Sequence, residues 1–254
     1  MALPVVKTPT YELIFPSDKK VIKFRPFLVK EEKILLMIKE GISSKDIKDS
    51  ILELLNNCII GEKPNLSKRP LYDIEYFFLN LRAKSVGETV KLNLTQEHNI
   101  PCDDGCDECV CDQKTHEIEV NLEEIDVKFP KNFNQVIDID DEIKVKIKHI
   151  NMENVSQFEG LDVSADIDDK SLERVLKMIA SSIELIIEGE TVHETKDYTV
   201  AEVITFIQGL TNDQLIKIQQ FLQDYPTLEK EIKFKCVKCK KKLSVTLGGL
   251  NNFF

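Results

Sequence analysis

The stretches PCDDGCDECVCDQKTH (residues 101–116) and KFKCVKCKKKL (residues 233–243) hold six of the chain's seven cysteines. Each contains a Cys-x-x-Cys, Cys106/Cys109 in the first and Cys236/Cys239 in the second, and each interrupts sequence that alternates like a strand. ETVKLNL (88–94) leads into the first cluster and HEIEVNL (116–122) leads out; EKEIKFK (229–235) and KKLSVTL (241–247) flank the second. Such alternation around a polar tip predicts two β-hairpins. A thiolate pair at a hairpin tip grips one side of a tetrahedral ion, so two tips brought together supply a four-sulfur zinc site.

The simplest ligand set is Cys106, Cys109, Cys236 and Cys239. The other set is local to the first cluster, with Cys102 and Cys111 added to Cys106 and Cys109, and His98 and His116 border that loop as substitute ligands. Asp103, Asp104, Asp107, Glu108 and Asp112 make the loop suited to a cation, while the lysines around Cys236 and Cys239 raise the thiolate fraction that metal binding needs. A reduced, metal-free cluster and an oxidised pair are the competing readings. A redox Cys-x-x-Cys belongs at a helix N-terminus after a strand, which neither pair resembles. No open coordination position or general base accompanies either pair, so the zinc is expected to be structural.

Outward from the cysteines, the chain reads as two similar halves, 1–124 and 125–254, of an α+β fold. TYELIFPSDKKVIKFRPF (10–27) alternates on both sides of a Pro-Ser-Asp turn, and DVKFPKNFNQVIDIDDEIKVKIKHI (126–150) resembles it, with Phe129-Pro130 placed like Phe15-Pro16. VKEEKILLMIKE (29–40) switches to helical periodicity, and DIKDSILELLNNCII (46–60) puts Ile47, Ile51, Leu54, Leu55 and Cys58 on one stripe. LERVLKMIASSIELII (172–187) does the same with Leu172, Val175, Leu176, Ile179, Ile183, Ile186 and Ile187, which predicts a helix through residue 187. YDIEYFFLNLRAK (72–84) is a further helix, and Thr199-x-x-Glu202 and Thr211-x-x-Gln214 are capping boxes that open two more. VSQFEGLDVSADIDDK (155–170) is a polar connection. The order hairpin, helix, helix, cysteine-tipped hairpin thus occurs twice, the signature of an internal duplication.

Composition narrows function. The 254 residues carry 34 basic and 44 acidic side chains, a net charge of −10 that disfavours a general nucleic-acid surface. No apolar run reaches membrane-span length and the start lacks a signal-peptide pattern, so a soluble, cytosolic chain is expected. In a cytosol, paired cysteines read as metal ligands rather than disulfides. Cys58 reads as a buried apolar thiol.

No phosphate-binding glycine loop, no His-Glu-x-x-His and no nucleophile elbow is present, and His149 and His193 have no nucleophile–base–carboxylate company in sequence. DIDDE (138–142) and DIDDK (166–170) lack a calcium loop's glycine and terminal glutamate and read as solvated turns. The chain is not expected to be an enzyme.

Three long stretches, TPTYELIFPSDKKVIKFRPFLVKEEKILL (8–36), DIEYFFLNLRAKSVGE (73–88) and EIKFKCVKCKKKLSVTLGGLNNFF (231–254), resemble the baseplate hub and hub-assembly proteins of T-even-like contractile-tailed bacteriophages. The resemblance implies a viral tail protein acting in the host cytoplasm, as a hub subunit or an assembly chaperone that binds other hub proteins. FRPFLV (24–29), with Phe24, Phe27 and Leu28, and the tail LNNFF, with Phe253 and Phe254, are the stretches expected to meet those partners. No membrane and no small-molecule substrate are expected. The rival reading is a zinc-ribbon nucleic-acid or transcription-associated protein, using Lys233, Lys235, Lys238, Lys240, Lys241 and Lys242.

Overall fold

Leu13, Phe15, Ile22 and Phe24 alternate with polar neighbours, and this pattern folds β1 (Tyr11–Ile14) against β2 (Val21–Phe24) as an antiparallel hairpin with those four side chains buried. The Pro-Ser-Asp turn between them is held from outside: Ser17 donates its backbone N–H and its hydroxyl to the Asp73 carboxylate, at 3.0 and 2.5 Å. The computed structural model describes residues 7–32, 44–95, 99–100, 109–110, 115–131, 133–154, 169–236 and 242–248.

After β2 come α1 (Ser44–Cys58) and a short strand β3 (Ile59–Ile60), which returns antiparallel beside β2 and completes a sheet of order β1-β2-β3. Among the described side chains of α1, Leu54, Leu55 and Cys58 are fully buried. Next is α2 (Leu71–Val86), whose Phe77 takes the rings of Phe15 and Phe24 edge-on, at centroid distances of 6.2 and 5.5 Å. Asp73 lies in its first turn, fully buried, so the Ser17 bonds also place a carboxylate at the positive end of the helix dipole.

Four strands follow around the first cysteine-rich stretch: β4 (Thr89–Thr95), β5 (Asn99–Ile100), β6 (Cys109–Val110) and β7 (Thr115–Asn121). Strands β4 and β7 pair over seven residues, from Thr89 opposite Asn121 to Thr95 opposite Thr115. Beyond them Ile100 faces Cys109 in the small β5–β6 ladder. A short strand, β8 (Asp126–Lys128), leaves this region.

The motif then recurs: β9 (Val136–Asp138), β10 (Ile143–Ile147), α3 (Asp169–Ser182), β11 (Ile183–Glu188) and β12 (Thr191–Glu194). All pair antiparallel in the order β12-β11-β10-β9. The correspondence reaches single atoms. Arg25, just after β2, donates its backbone N–H to the carbonyl of Cys58 and a guanidinium N–H to that of Asn57, the last two residues of α1, at 2.9 and 3.0 Å. Lys148, just after β10, donates to Ser182 and Ser181, the last two residues of α3, at 2.7 and 3.2 Å. Neither helix has a basic residue in its own last turn, so each exposed carbonyl end is capped by a cation from the preceding strand.

The capping boxes are both present, Thr199 with Glu202 opening α4 (Val200–Gln208) and Thr211 with Gln214 opening α5 (Asn212–Gln223). Both helices pack with α3 on one core that includes Val175, Ile179, Ile183, Val203, Ile207 and Ile218. The chain closes with β13 (Thr227–Lys235) and β14 (Lys242–Gly248), with β8 pairing on the other side of β13.

Two expectations change. The helix expected through residue 187 stops at Ser182, because Ile183 to Glu188 find ladder partners in β10, and β-branched residues gain more from that pairing than from another helical turn. The compact units also depart from a 124/125 division. One is Met1–Pro64, Tyr72–Lys128 and Thr227–Phe254; the other is Asn65–Leu71 and Phe129–Pro226. The last hairpin thus joins the first cysteine hairpin, because β13 needs β8 as an edge partner and a shared apolar face. The α+β class stands, and the expected cysteine tips, residues 101–108 and 237–241, lie outside the described residues. The 155–168 connection and most of VKEEKILLMIKE lie outside the described residues.

Candidate metal centre and contact surfaces

The two cysteine-bearing hairpins lie in one unit and share one core. Val90, Leu92, Leu94, Ile118 and Val120 face inward from β4 and β7; Leu228, Ile232, Phe234, Val245 and Leu247 do so from β13 and β14; Leu79 and Ala83 of α2 pack among them. The strict period-2 alternation fixes which side chains point in, so register decides what meets at the far end. There His116, opposite Leu94 in the ladder, is buried and lies against Phe234 with ring centroids 5.0 Å apart. Two residues beyond Phe234, Cys236 is fully buried with Leu243 and Phe234 beside it.

Of the expected zinc ligands, Cys236 is thus placed at the end where the hairpins converge, and Cys109 lies in β6. Cys102, Cys106, Cys111 and Cys239 lie outside the described residues, as does His98. Among the described residues no group of three or more His, Cys, Asp or Glu is gathered to hold a metal. The donor chemistry nevertheless suits zinc: soft sulfur, an apolar wall formed by Phe234 and Leu243, and a buried imidazole beside them.

The lysine face of the second hairpin is formed in part. Lys233, Lys235 and Lys242 are exposed, Lys235 sits directly opposite Lys242, and Lys233 pairs with Glu231 at 3.1 Å. Lys238, Lys240 and Lys241 lie outside the described residues.

The expected partner surface around FRPFLV is corrected at its first residue. Phe24 is 2% exposed and packed on Phe77 and Tyr11, because its position in β2 faces the sheet's buried side. Phe27 is half-buried, its N–H bonded to the Ser85 hydroxyl at 3.0 Å. Leu28 is 38% and Val29 83% exposed. The turn carrying them is rigidly held: the Arg25 guanidinium pairs with Glu31 at 2.9 Å, and the Glu31 carboxylate accepts the Leu28 N–H at 2.8 Å. Glu31 is 2% exposed. Burial pushes its carboxyl pKa up, but the hydrogen bonds from Arg25 and Leu28 outweigh that and hold it below the ordinary glutamate value. Phe253 and Phe254 lie outside the described residues.

Sequence reasoning missed the Arg25 and Lys148 caps and Glu31. Aligning the halves strand by strand pairs Arg25 with Lys148, a signal that was available. His149 bonds the Tyr225 hydroxyl at 3.0 Å, and the partly exposed His193 bonds that of Tyr198 at 2.8 Å. DIDDE is the expected turn, with Asp140 accepting the N–H groups of Glu142 and Ile143.

The described residues thus show a hairpin–helix–strand motif twice, once in each compact unit, and a pinned turn that exposes Leu28 and Val29. A family model described as T4 bacteriophage base plate protein matches residues 8–254, and the chain belongs to that family. It is a phage tail protein with a structural role in the baseplate, and its expected partners are other baseplate components. No curated protein and no solved structure matches it. No helix among the described residues is long and apolar enough to cross a membrane.

Proposed function

We propose that this chain is a non-enzymatic subunit or assembly chaperone of the baseplate hub, which binds other hub proteins in the host cytoplasm while zinc staples its two cysteine hairpins. Family membership supports the baseplate setting. The observation that supports the staple is the His116–Phe234 contact, between a residue at the close of the first cysteine-rich stretch and one two residues before Cys236. Zinc would be held by Cys236 and Cys239 from one hairpin with Cys106 and Cys109 from the other, Cys102 and Cys111 being the alternates. When bound it supplies folding free energy, on the order of 10 kcal/mol in small zinc modules, and no chemistry.

Leu28 and Val29 are the contact side chains this reading uses, with the Phe253–Phe254 tail as a second anchor. Mass spectrometry of mature virions, together with co-purification of hub proteins after nuclease treatment, tests the reading. The chain in virions marks a subunit; its absence with hub proteins still retained marks a chaperone; retention of no hub protein sinks both. A salt-sensitive shift of DNA or RNA by the pure protein would instead favour the lysine hairpin as a nucleic-acid surface.

A further inference from the structure

The second unit contains an open cleft of about 400 Å3 between its sheet and α4. Its apolar floor is Ile143 of β10, Ile186 of β11 and Val203 and Phe206 of α4. The size is that of a side-chain or small-ligand pocket. The polar residues at its mouth are Glu188, His193, Tyr198 and Glu202, and among the described residues no lysine or arginine lines it. Glu202 is fixed there by the Thr199 N–H and hydroxyl, which donate to it at 2.7 and 2.8 Å. Glu188 has His193 at 3.8 Å as its neighbour. The same unit has nineteen acidic against eleven basic residues, where the other is near balance at twenty-five against twenty-three.

The cleft ends at an open strand. His193 belongs to β12, the outer strand of the sheet, and no described strand pairs with its far side. Edge strands are normally defended by lysine, proline or a bulge. Thr191-Val192-His193-Glu194 is short and carries one charge, Glu194, but has no lysine, proline or bulge. It pairs with β11 in unbroken register and leaves Val192, on the sheet face away from His193, 54% exposed. On the cleft side Tyr198, bonded to His193, is 44% exposed. The end of β9 at the opposite edge is engaged, since the Lys217 ammonium donates to the carbonyls of Asp138 and Ile139.

We infer that β12 and the adjoining cleft form a docking site for an extended segment of another baseplate protein, carrying an apolar side chain with lysine or arginine two residues away. A strand added beside β12 sends alternate side chains to the cleft face. One of them lies next to His193 and enters the mouth of the cleft. Its neighbours at i±2 point the same way and meet Glu188 and Glu202, which select cations. The inference rests on the proposed partner-binding role and names the chemistry of one partner.

The test uses the full chain and two blocked peptides with a central leucine, one flanked at i±2 by lysines and the other by glutamates. In NMR titrations the lysine peptide should move the amides of 191–194 and 200–206 and bind about tenfold tighter than the glutamate peptide. Added salt should weaken it. Val192→Lys and Glu188→Lys, both at exposed positions, should each weaken binding about tenfold with the melting temperature unchanged. Equal affinity for the two peptides, shifts centred elsewhere, or no binding up to about 1 mM would overturn the inference. So would slow exchange at every amide of 191–194 in the isolated monomer, which would mean that the chain covers its own edge, or a self-association mapped to β12. Peptide failure with hub co-purification intact removes only this cleft; loss of hub co-purification removes the underlying reading.

Discussion

The ring of His116, at the end of one cysteine hairpin, rests on the ring of Phe234, at the end of the other, with 5.0 Å between centroids. These two residues sit 118 positions apart in sequence, yet each immediately adjoins a cysteine cluster. Cys239 lies three residues past the buried Cys236, so covalent geometry alone keeps their Cα atoms within about 11 Å. Among the described residues, the imidazole of His116, the ring of Phe234 and the buried Cys236 lie at one end of one core. The contact and the metal are separable contributions, and variants distinguish them.

Cys236→Ser combined with Cys239→Ser should abolish bound zinc and lower stability by at least about 3 kcal/mol, read as a melting temperature about 10 °C lower. A chelator should lower the wild type to the same point and leave the double variant unmoved. Phe234→Ala should cost about 2 kcal/mol whether or not metal is present, because it removes the packing of a partly buried ring. Equal melting temperatures with and without chelator would remove the staple.

The hairpins, helices and repeated order were legible because alternation and capping chemistry are local. The alternation of β1, β2, β4, β7 and β13 and the Thr199 and Thr211 boxes needed no tertiary information. Phe24 was misjudged because FRPFLV reads as one contact stretch, whereas the alternation of β2 turns Phe24 inward and Leu28 lies beyond the strand. Ile183 to Ile187 were misjudged because their spacing also suits a helix, and the ladder with β10 decides otherwise. The cleft beside β12 joins residues from four elements and leaves no local trace.

Arg25→Ala and Lys148→Ala should differ although the two residues cap equivalent helices. Lys148→Ala removes one side-chain bond to a carbonyl, worth about 1 kcal/mol. Arg25→Ala also strips the main partner from the buried Glu31 and should cost about 3 kcal/mol. Urea denaturation of each variant measures both.

The lowered Glu31 pKa ties stability to pH. Its folded value lies below the ordinary value of about 4.3, so its contribution is complete above about pH 5 and is lost as the pH falls through the folded value. The difference in stability between wild type and Arg25→Ala should therefore shrink on acidification from pH 6 towards about pH 3. A constant difference across that range would show that the pair does not set the titration.

Cys58 should be chemically silent in the folded chain. Burial pushes its thiol pKa up to about 11, Arg25 opposing and Glu31 adding to that shift. At pH 8 almost none is thiolate, and the side chain is inaccessible besides. Iodoacetamide labelling followed by peptide mass spectrometry should find Cys58 unmodified in native protein and modified after denaturation. Modification at native pH 8 would mean that α1 opens locally.

Phe24 and Leu28 lie four residues apart and should behave oppositely. Phe24 fills the space against Phe77, so Phe24→Ala should cost about 3–5 kcal/mol and disturb partner binding only through the fold. Leu28→Glu changes an exposed side chain whose backbone is already fixed by Glu31, so the melting temperature should stay within about 1–2 °C. If the pinned turn meets a hub protein, the glutamate buries a charge in that contact and should weaken co-purification about tenfold or more. Full retention of hub proteins by Leu28→Glu and by a matching Val29→Glu would move the contact away from this turn, leaving the β12 cleft or the C-terminal phenylalanines to carry it.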